Sequence, residues 1–207
     1  MNKLIKYIVF AVIVGLLLYN SVYFESLDDY KKGQNKSIFD AKSLASKFIS
    51  TTIETLPAIN TSDFLVDIAK NTANYCSDKG KKLGISNDYN FIIDGVATVI
   101  SIDEENVLVS INDNKEQQVR IATDFIFGNA IRDASAIADI GDFQNTMDFN
   151  NISVELNNIV RKTIVLPFKQ KVKEGDQLYF KGAVKVNSMR PDLQDLKVIP
   201  LIVKFNN

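Results

Sequence analysis

Apolar residues crowd the first two dozen positions of the chain and then settle into two different rhythms. Behind Met1-Asn2-Lys3-Leu4-Ile5-Lys6, the run from Tyr7 to Tyr19 is almost unbroken, and as far as Phe24 only Asn20 and Ser21 interrupt it strongly. As a helix with a rise of about 1.5 Å per residue, residues 7–24 would reach about 27 Å, close to a bilayer core of roughly 30 Å. Lys3 and Lys6 precede the run, whereas Glu25, Asp28 and Asp29 follow it. A lysine bias on the short side keeps that side in the cytoplasm. The pattern predicts a signal anchor over residues 1–24, crossing the cell membrane once with its N-terminus cytoplasmic. The folded part then lies in the periplasm or another extracytoplasmic space. Cleavage as a signal peptide is the alternative, but Leu18-Tyr19-Asn20-Ser21-Val22-Tyr23 contains no small-x-small site.

Residues 25–37 are polar and read as a tether. Beyond them Phe39, Leu44, Phe48, Ile49 and Ile53 recur at helical spacing up to Pro57, and Phe64, Leu65, Ile68, Ala69, Thr72, Tyr75 and Cys76 repeat the pattern behind the capping residues Thr61 and Ser62. Two helices, about 38–56 and 62–82, are predicted, forming a helical segment over 38–84. From Asn90 the rhythm changes. Phe91–Ile102, with a kink or bulge at Gly95, then Val107–Ile111 and Gln117–Thr123 read as an antiparallel meander with turns at Asp103–Asn106 and Asn112–Lys115.

A long connection over residues 124–146 leads to a helix over about 148–164, stopped by Pro167, and to strands Gln177–Val186 and Lys197–Phe205, the last of which Pro200 places at an edge or bulge. Three strands, a helix and two strands is the element order of an OB-type barrel. The expected fold is α+β: an anchor helix, a two-helix segment, and a five-stranded antiparallel OB-type barrel over 90–207 with a helix between strands three and four. A flat meander crossed by a helix has the same order.

Composition narrows the function more than the fold. With 46% hydrophobic and 24% charged residues the chain is an ordinary globular one. Apart from Lys3 and Lys6 it carries 22 basic residues against 25 acidic ones, so it has no general attraction for polyanions. The second and third strands hold no aromatic residue and only Arg120 as a cation, which removes the stacking platform of nucleic-acid-binding barrels. There is no His, and a single cysteine, Cys76. The usual triads and zinc sites are excluded, an intrachain disulfide is impossible, and Cys76 is expected as a small buried hydrophobe. No metal or cofactor is expected.

The densest polar patch runs from Phe127 through Gly128, Arg132, Asp133, Asp139, Asp142 and Phe143 to Asn145. An Arg fork with Asp and Asn acceptors suits a small polar ligand. The same residues also suit a self-satisfied loop in which Arg132 pairs Asp142 or Asp133 and Asn145 caps the next helix. Asp103-Glu104-Glu105 with Asp113 could hold a hard cation, although acidic hairpin tips commonly serve solubility. Lys79, Lys81 and Lys82 suit the negative end of the helix before them.

Gly128-Asn-Ala-Ile-Arg132-Asp133-Ala, Asp142-Phe143-Gln-Asn145, Phe149, Glu155-Leu-Asn157, Gly182-Ala183 and Ile199-Pro200-Leu201 together resemble a bacterial family of predicted periplasmic lipoproteins of unknown function, many of them encoded beside sugar-uptake ABC transporters. The resemblance runs from about Phe39 to the C-terminus and is most specific from Gly128 to Asn157. It implies an exported, membrane-tethered accessory, with ABC-type sugar transporter components as partners and with Gly128, Arg132, Asp133, Asp142, Phe143, Asn145 and Asn157 as signature positions. The chain departs from the family in lacking a lipid-accepting Cys near its N-terminus.

Three functions compete on this footing. The first is a non-enzymatic binding or assembly module that presents the Arg132–Asn145 patch. The second is a structural interaction domain in which the Arg and Asp residues are a fold clasp. The third is a glycoside hydrolase using Asp133 and Asp142 as an acid and base pair.

Overall fold

The computed structural model describes residues 3–21 and 39–206. The expected tether, 25–37, and residues 22–24 of the expected span lie outside them. The chain divides into two compact units, Met1–Phe39 and Asp40–Asn207.

In the first unit, α1 (Lys3–Ser21) is a continuous helix. The expected membrane crossing finds no support here, because among the described residues no helix is long and apolar enough to cross a membrane. The first turns of α1 hold Lys3 and Lys6, and the purely apolar stretch from Tyr7 to Tyr19 amounts to only about 20 Å against a core of roughly 30 Å.

The second unit opens with α2 (Ala41–Lys47), whose capping residue Asp40 accepts the Ser43 N–H at 3.0 Å, and continues directly into a π-helical turn over Phe48–Thr52. Ala41, Ala45 and Phe48 are its buried face. The single helix expected over 62–82 is two helices, α3 (Thr61–Lys70) and α4 (Thr72–Lys79). Asn71 divides them. Its backbone is extended at φ −159°, and its side chain accepts the Asn74 N–H at 3.1 Å, so it caps α4 instead of continuing α3.

Six strands form the sheet where five were expected: β1 (Ile59–Asn60), β2 (Asp88–Ile102), β3 (Asn106–Ile111), β4 (Asn114–Ala122), β5 (Gln177–Asn187) and β6 (Lys197–Phe205). Their order is β1-β2-β3-β4-β6-β5, and β2 also pairs with β5. Followed from β2 through β3, β4, β6 and β5, the ladders therefore return to β2. The all-antiparallel expectation is corrected at two places, since β1 runs parallel to β2 and β4 parallel to β6. Helical crossovers make such pairings possible, because a short hairpin cannot join strands of the same direction. The β3–β4 turn is a hairpin turn of two residues, Asn112 and Asp113 at φ 50° and 57°, the left-handed pair that matches strand twist.

Gly95 is not the bulge. It pairs regularly with Phe180, and the register of β2 shifts instead between Val99 and Ser101. The value of Gly95 is closeness: a Cβ there would lie 3.4 Å from Thr61 Oγ1, which donates to the Asp94 carbonyl at 2.8 Å and ties the start of α3 to the strand. On β6, Pro200 lies opposite Gly182, beside a register shift between Lys181 and Gly182, a place where a missing N–H is tolerated. A Cβ on Gly182 would meet the Val198 side chain and would lie 2.6 Å from the Ile199 carbonyl oxygen. Gly182→Ala should therefore lower stability by about 1–3 kcal/mol through overpacking. Urea unfolding checks this, and an unmoved midpoint would mean that β5 and β6 can part at no cost.

Between β4 and β5 lie α5 (Ala130–Ser135), a 3₁₀ turn (Ile140–Asp142), α6 (Thr146–Val160), a π-helical turn (Arg161–Val165) and α7 (Leu166–Lys171). The expected stop at Pro167 does not occur. Pro167 sits in the first turn of α7 just after the π-helical turn, where the regular ladder is already interrupted and a missing donor costs least.

A core joins helices to one face of the strands. Phe64 and Ile68 of α3, Cys76 of α4, Phe91 and Ile93 of β2, Val109, Ile121, Phe180 and Phe168 are all buried in it. The Phe64 ring stands edge-on to Phe91 with centroids 5.1 Å apart. Burial pushes the Cys76 thiol pKa up. This core lies within Asp40–Asn207, so those residues carry what is needed to fold as a unit.

Candidate functional site

Arg132, in the middle of α5, points inward, with its side chain 3% exposed. A guanidinium so far from water must be paired. Nε and Nη2 each donate to Asp133 Oδ1 at 2.8 Å, and Nη1 donates at 3.2 Å both to the Phe149 carbonyl and to Asn150 Oδ1. The planar group also lies over the Phe149 ring, 3.7 Å from its centroid. The other oxygen of Asp133 accepts from the Asn129 side chain. A charge pair, two amides, a carbonyl and a ring thus engage one another and lock α5 onto the first turns of α6.

The remaining signature positions form separate contacts. Gly128 adopts φ 83°, a left-handed conformation open to glycine, and its carbonyl accepts from Asn157 Nδ2 at 2.8 Å, which pins the residues just before α5 to α6. Phe143 stacks obliquely on Phe149, with centroids 5.5 Å apart. Asn145 caps α6 by accepting the Asp148 N–H at 2.8 Å. Asp142 is exposed on the 3₁₀ turn. The structure therefore joins Arg132 to Asp133 and, through Phe149, to Phe143. It leaves Asp142 and Asn145 outside that group. Asn129 and Asn150 complete it without having been singled out from the sequence; the spacing of Asn129 four residues ahead of Asp133, one helical turn, was their only local signal.

Elsewhere, Asp103 Oδ1 accepts the N–H groups of Glu105 and Asn106, which hold its carboxyl below the usual range, and Asp113 accepts from Thr98 Oγ1. These are turn-forming roles. Among the described residues no group of three or more His, Cys, Asp or Glu could hold a metal. At the basic end of α4, Lys82 lies over the Tyr89 ring, 5.3 Å from its centroid.

Two further features escaped the sequence reading. Lys181 on β5 is 5% exposed and has no carboxylate partner among the described residues. Its Nζ donates to the carbonyls of Leu56 (2.9 Å), Glu54 (3.1 Å) and Ile53 (3.4 Å), which follow the first π-helical turn. Beside it, the Tyr179 hydroxyl donates to Asp94 Oδ2 at 2.8 Å, and burial together with that carboxylate pushes the phenol up to about 12 from 10.0. A raised folded-state pKa makes a contribution that is full below pH 10 and lost as pH rises through about 12. Burial raises the Tyr75 phenol as well, so absorbance titration at alkaline pH should show one late-ionising tyrosine fewer in Tyr179→Phe than in wild type. Loss of an ordinarily titrating tyrosine instead would deny the Asp94 bond.

The loop from β4 to α5, which the Gly128–Asn157 bond and the Arg132 cluster hold down, forms one wall of a cavity of about 370 Å³. Buried Ala122, Ala130 and Ala183 leave it depth, while Phe125 and Phe127 at its side are 59% and 71% exposed. Phe125 is also left-handed, at φ 50°, an uncommon conformation for a bulky residue.

With this geometry in place, comparison with known proteins gives two matches of use. A family model described as predicted periplasmic lipoprotein (DUF2291) covers residues 12–204. The crystal structure of an OB-fold protein from Thermotoga maritima aligns with a TM-score of 0.72 and 24% identity over 81% of this chain and 99% of that one, a likeness of fold. No curated protein matches the chain.

Proposed function

We propose, since the chain belongs to the family of predicted periplasmic lipoproteins (DUF2291), that it is an extracytoplasmic, membrane-tethered module that binds a ligand without transforming it. Attachment is assigned to the N-terminal unit, where α1 exposes Leu4, Tyr7 and Phe10, because the lone thiol, Cys76, is buried in the other unit and closed to acylation. The observation that carries the reading is the closed Arg132 cluster. Its donors and acceptors are used internally, so the signature is a fold clasp, and the open feature it positions is the cavity beside Phe125 and Phe127. Acid and base catalysis by Asp133 and Asp142 is disfavoured on the same ground, since both Asp133 oxygens are already engaged.

An aromatic ring kept in solvent for a ligand contributes little to folding. Phe127→Ala should therefore leave the stability of residues 40–207 within about 0.5 kcal/mol of wild type, as for an ordinary surface change. A loss above about 2 kcal/mol would make the ring part of the core and sink the reading. Service to a sugar-uptake transporter is the finer proposal, with the domain acting as a partner of the transporter and not as the binder of the sugar. It predicts that immobilised residues 40–207 retain purified transporter components; no retention would count against it.

A further inference from the structure

We infer that the cavity beside Phe125 and Phe127 takes a small organic monoanion, a carboxylate on an apolar body, with Lys185 as the residue that engages the charge. This rests on the reading that the cavity is the ligand site, and it names the chemistry of the occupant.

The body of the ligand follows from the walls. Two phenyl rings on one loop flank alanine methyl groups and Ile199, and polar groups at the cavity are few. A neutral sugar spreads hydroxyls around its whole ring, each of which needs a partner once it leaves water. This cavity would leave most of them unpaired. An aromatic ring or a short alkyl chain has no such demand and gains by covering the exposed faces of Phe125 and Phe127. The volume of about 370 Å³ lies at the small end of ligand cavities, roughly 300–1,000 Å³.

The charge follows from the rim. Lys185, Lys197 and Glu105 line the cavity. Lys197 is loosely paired with Glu105 at 4.0 Å, whereas exposed Lys185 makes no ion pair among the described residues. Two ammonium groups against one carboxylate leave a single positive charge to be matched. That balance favours a monoanion over a dianion or a cation, and it does so on a chain whose acidic residues outnumber its basic ones, 25 to 24. Coulombic attraction to Lys185 is strengthened wherever the apolar body excludes water from the pair.

The test uses residues 40–207 and the fluorescent probe 1-anilinonaphthalene-8-sulfonate, an aromatic monoanion, in a protein that has no Trp to interfere. The expected result is saturable enhancement, displaced by 3-phenylpropionate or by octanoate and not by the neutral 3-phenylpropanamide. The stronger competitor distinguishes an aromatic body from an aliphatic one. Lys185→Gln should weaken the probe tenfold or more, and so should Phe127→Ala. If the amide competes as well as the acid and Lys185→Gln binds like wild type, the anionic assignment is overturned while the cavity stands as a ligand site. If Phe127→Ala binds the probe like wild type, the cavity itself is not the site and both readings fall.

Discussion

Arg132→Met should lower the unfolding free energy of residues 40–207 by about 3–5 kcal/mol, the usual cost of removing one partner from a buried ion pair. The methionine fills much of the same space, so the loss is electrostatic. Asp133, with a side chain 5% exposed, keeps Asn129 as its one side-chain partner among the described residues, and the Phe149 carbonyl and Asn150 lose the guanidinium. Two companions make the experiment diagnostic. Arg132→Lys should recover little, because an ammonium cannot span the acceptors that the guanidinium fork reaches together. The double change Arg132→Met with Asp133→Leu should recover most of the stability, since no orphan charge then remains. Urea unfolding followed by circular dichroism measures all three. A single-variant loss below about 1 kcal/mol, the range of exposed pairs, would show that the pair is solvated and the clasp reading wrong.

Lys181→Met should cost about 1–3 kcal/mol, with the damage concentrated at one place. The carbonyls of Glu54 and Leu56 lose the ammonium; exposed Glu54 can turn to water, so the cost falls on half-buried Leu56, and an unsatisfied buried group costs about 1–3 kcal/mol. The exposed Lys204–Glu54 pair at 3.0 Å, with both side chains more than half in water, cannot substitute. Segment 53–57 should then detach from β5 before the sheet fails, so limited proteolysis should cut there in the variant and not in wild type. Equal resistance in the two proteins would mean that packing of Phe48 and Ile53, both buried, already holds the segment and that the ammonium is redundant.

The sequence exposed those parts of the fold whose cause is local. Alternating residues in Phe91–Ile102 and Val107–Ile111, the Asn112–Asp113 turn and the Asn145 cap all depend on neighbours a few positions away. The places where the reading failed depend on distant ones. β1 is two residues long and exists because β2 offers an edge to it. Lys181 looks like a solvent-facing strand residue until a segment more than a hundred positions away covers it. Pro167 reads as a stop unless the π-helical turn before it is known. For the site, Arg132 had two acids to choose between, Asp133 next to it and Asp142 ten positions on, and the choice was made by the position of α6, which brings in Phe149 and Asn150 while Asp142 stays on an exposed turn. The cavity was invisible because its walls come from β4, β5, β6 and a loop, which only the folded sheet brings together.

The parallel contact of β4 with β6 is only two pairs long, Arg120 with Lys197 and Ile121 with Val198. It is the shortest seam in an otherwise continuous ring of ladders, and the next residues on the two strands, Ala122 and Ile199, line the cavity. An occupant there would bridge the strands just where their own hydrogen bonds run out. Filling the cavity and closing the ring would then draw on a shared free energy, so amides along the seam should exchange more slowly whenever the site is filled.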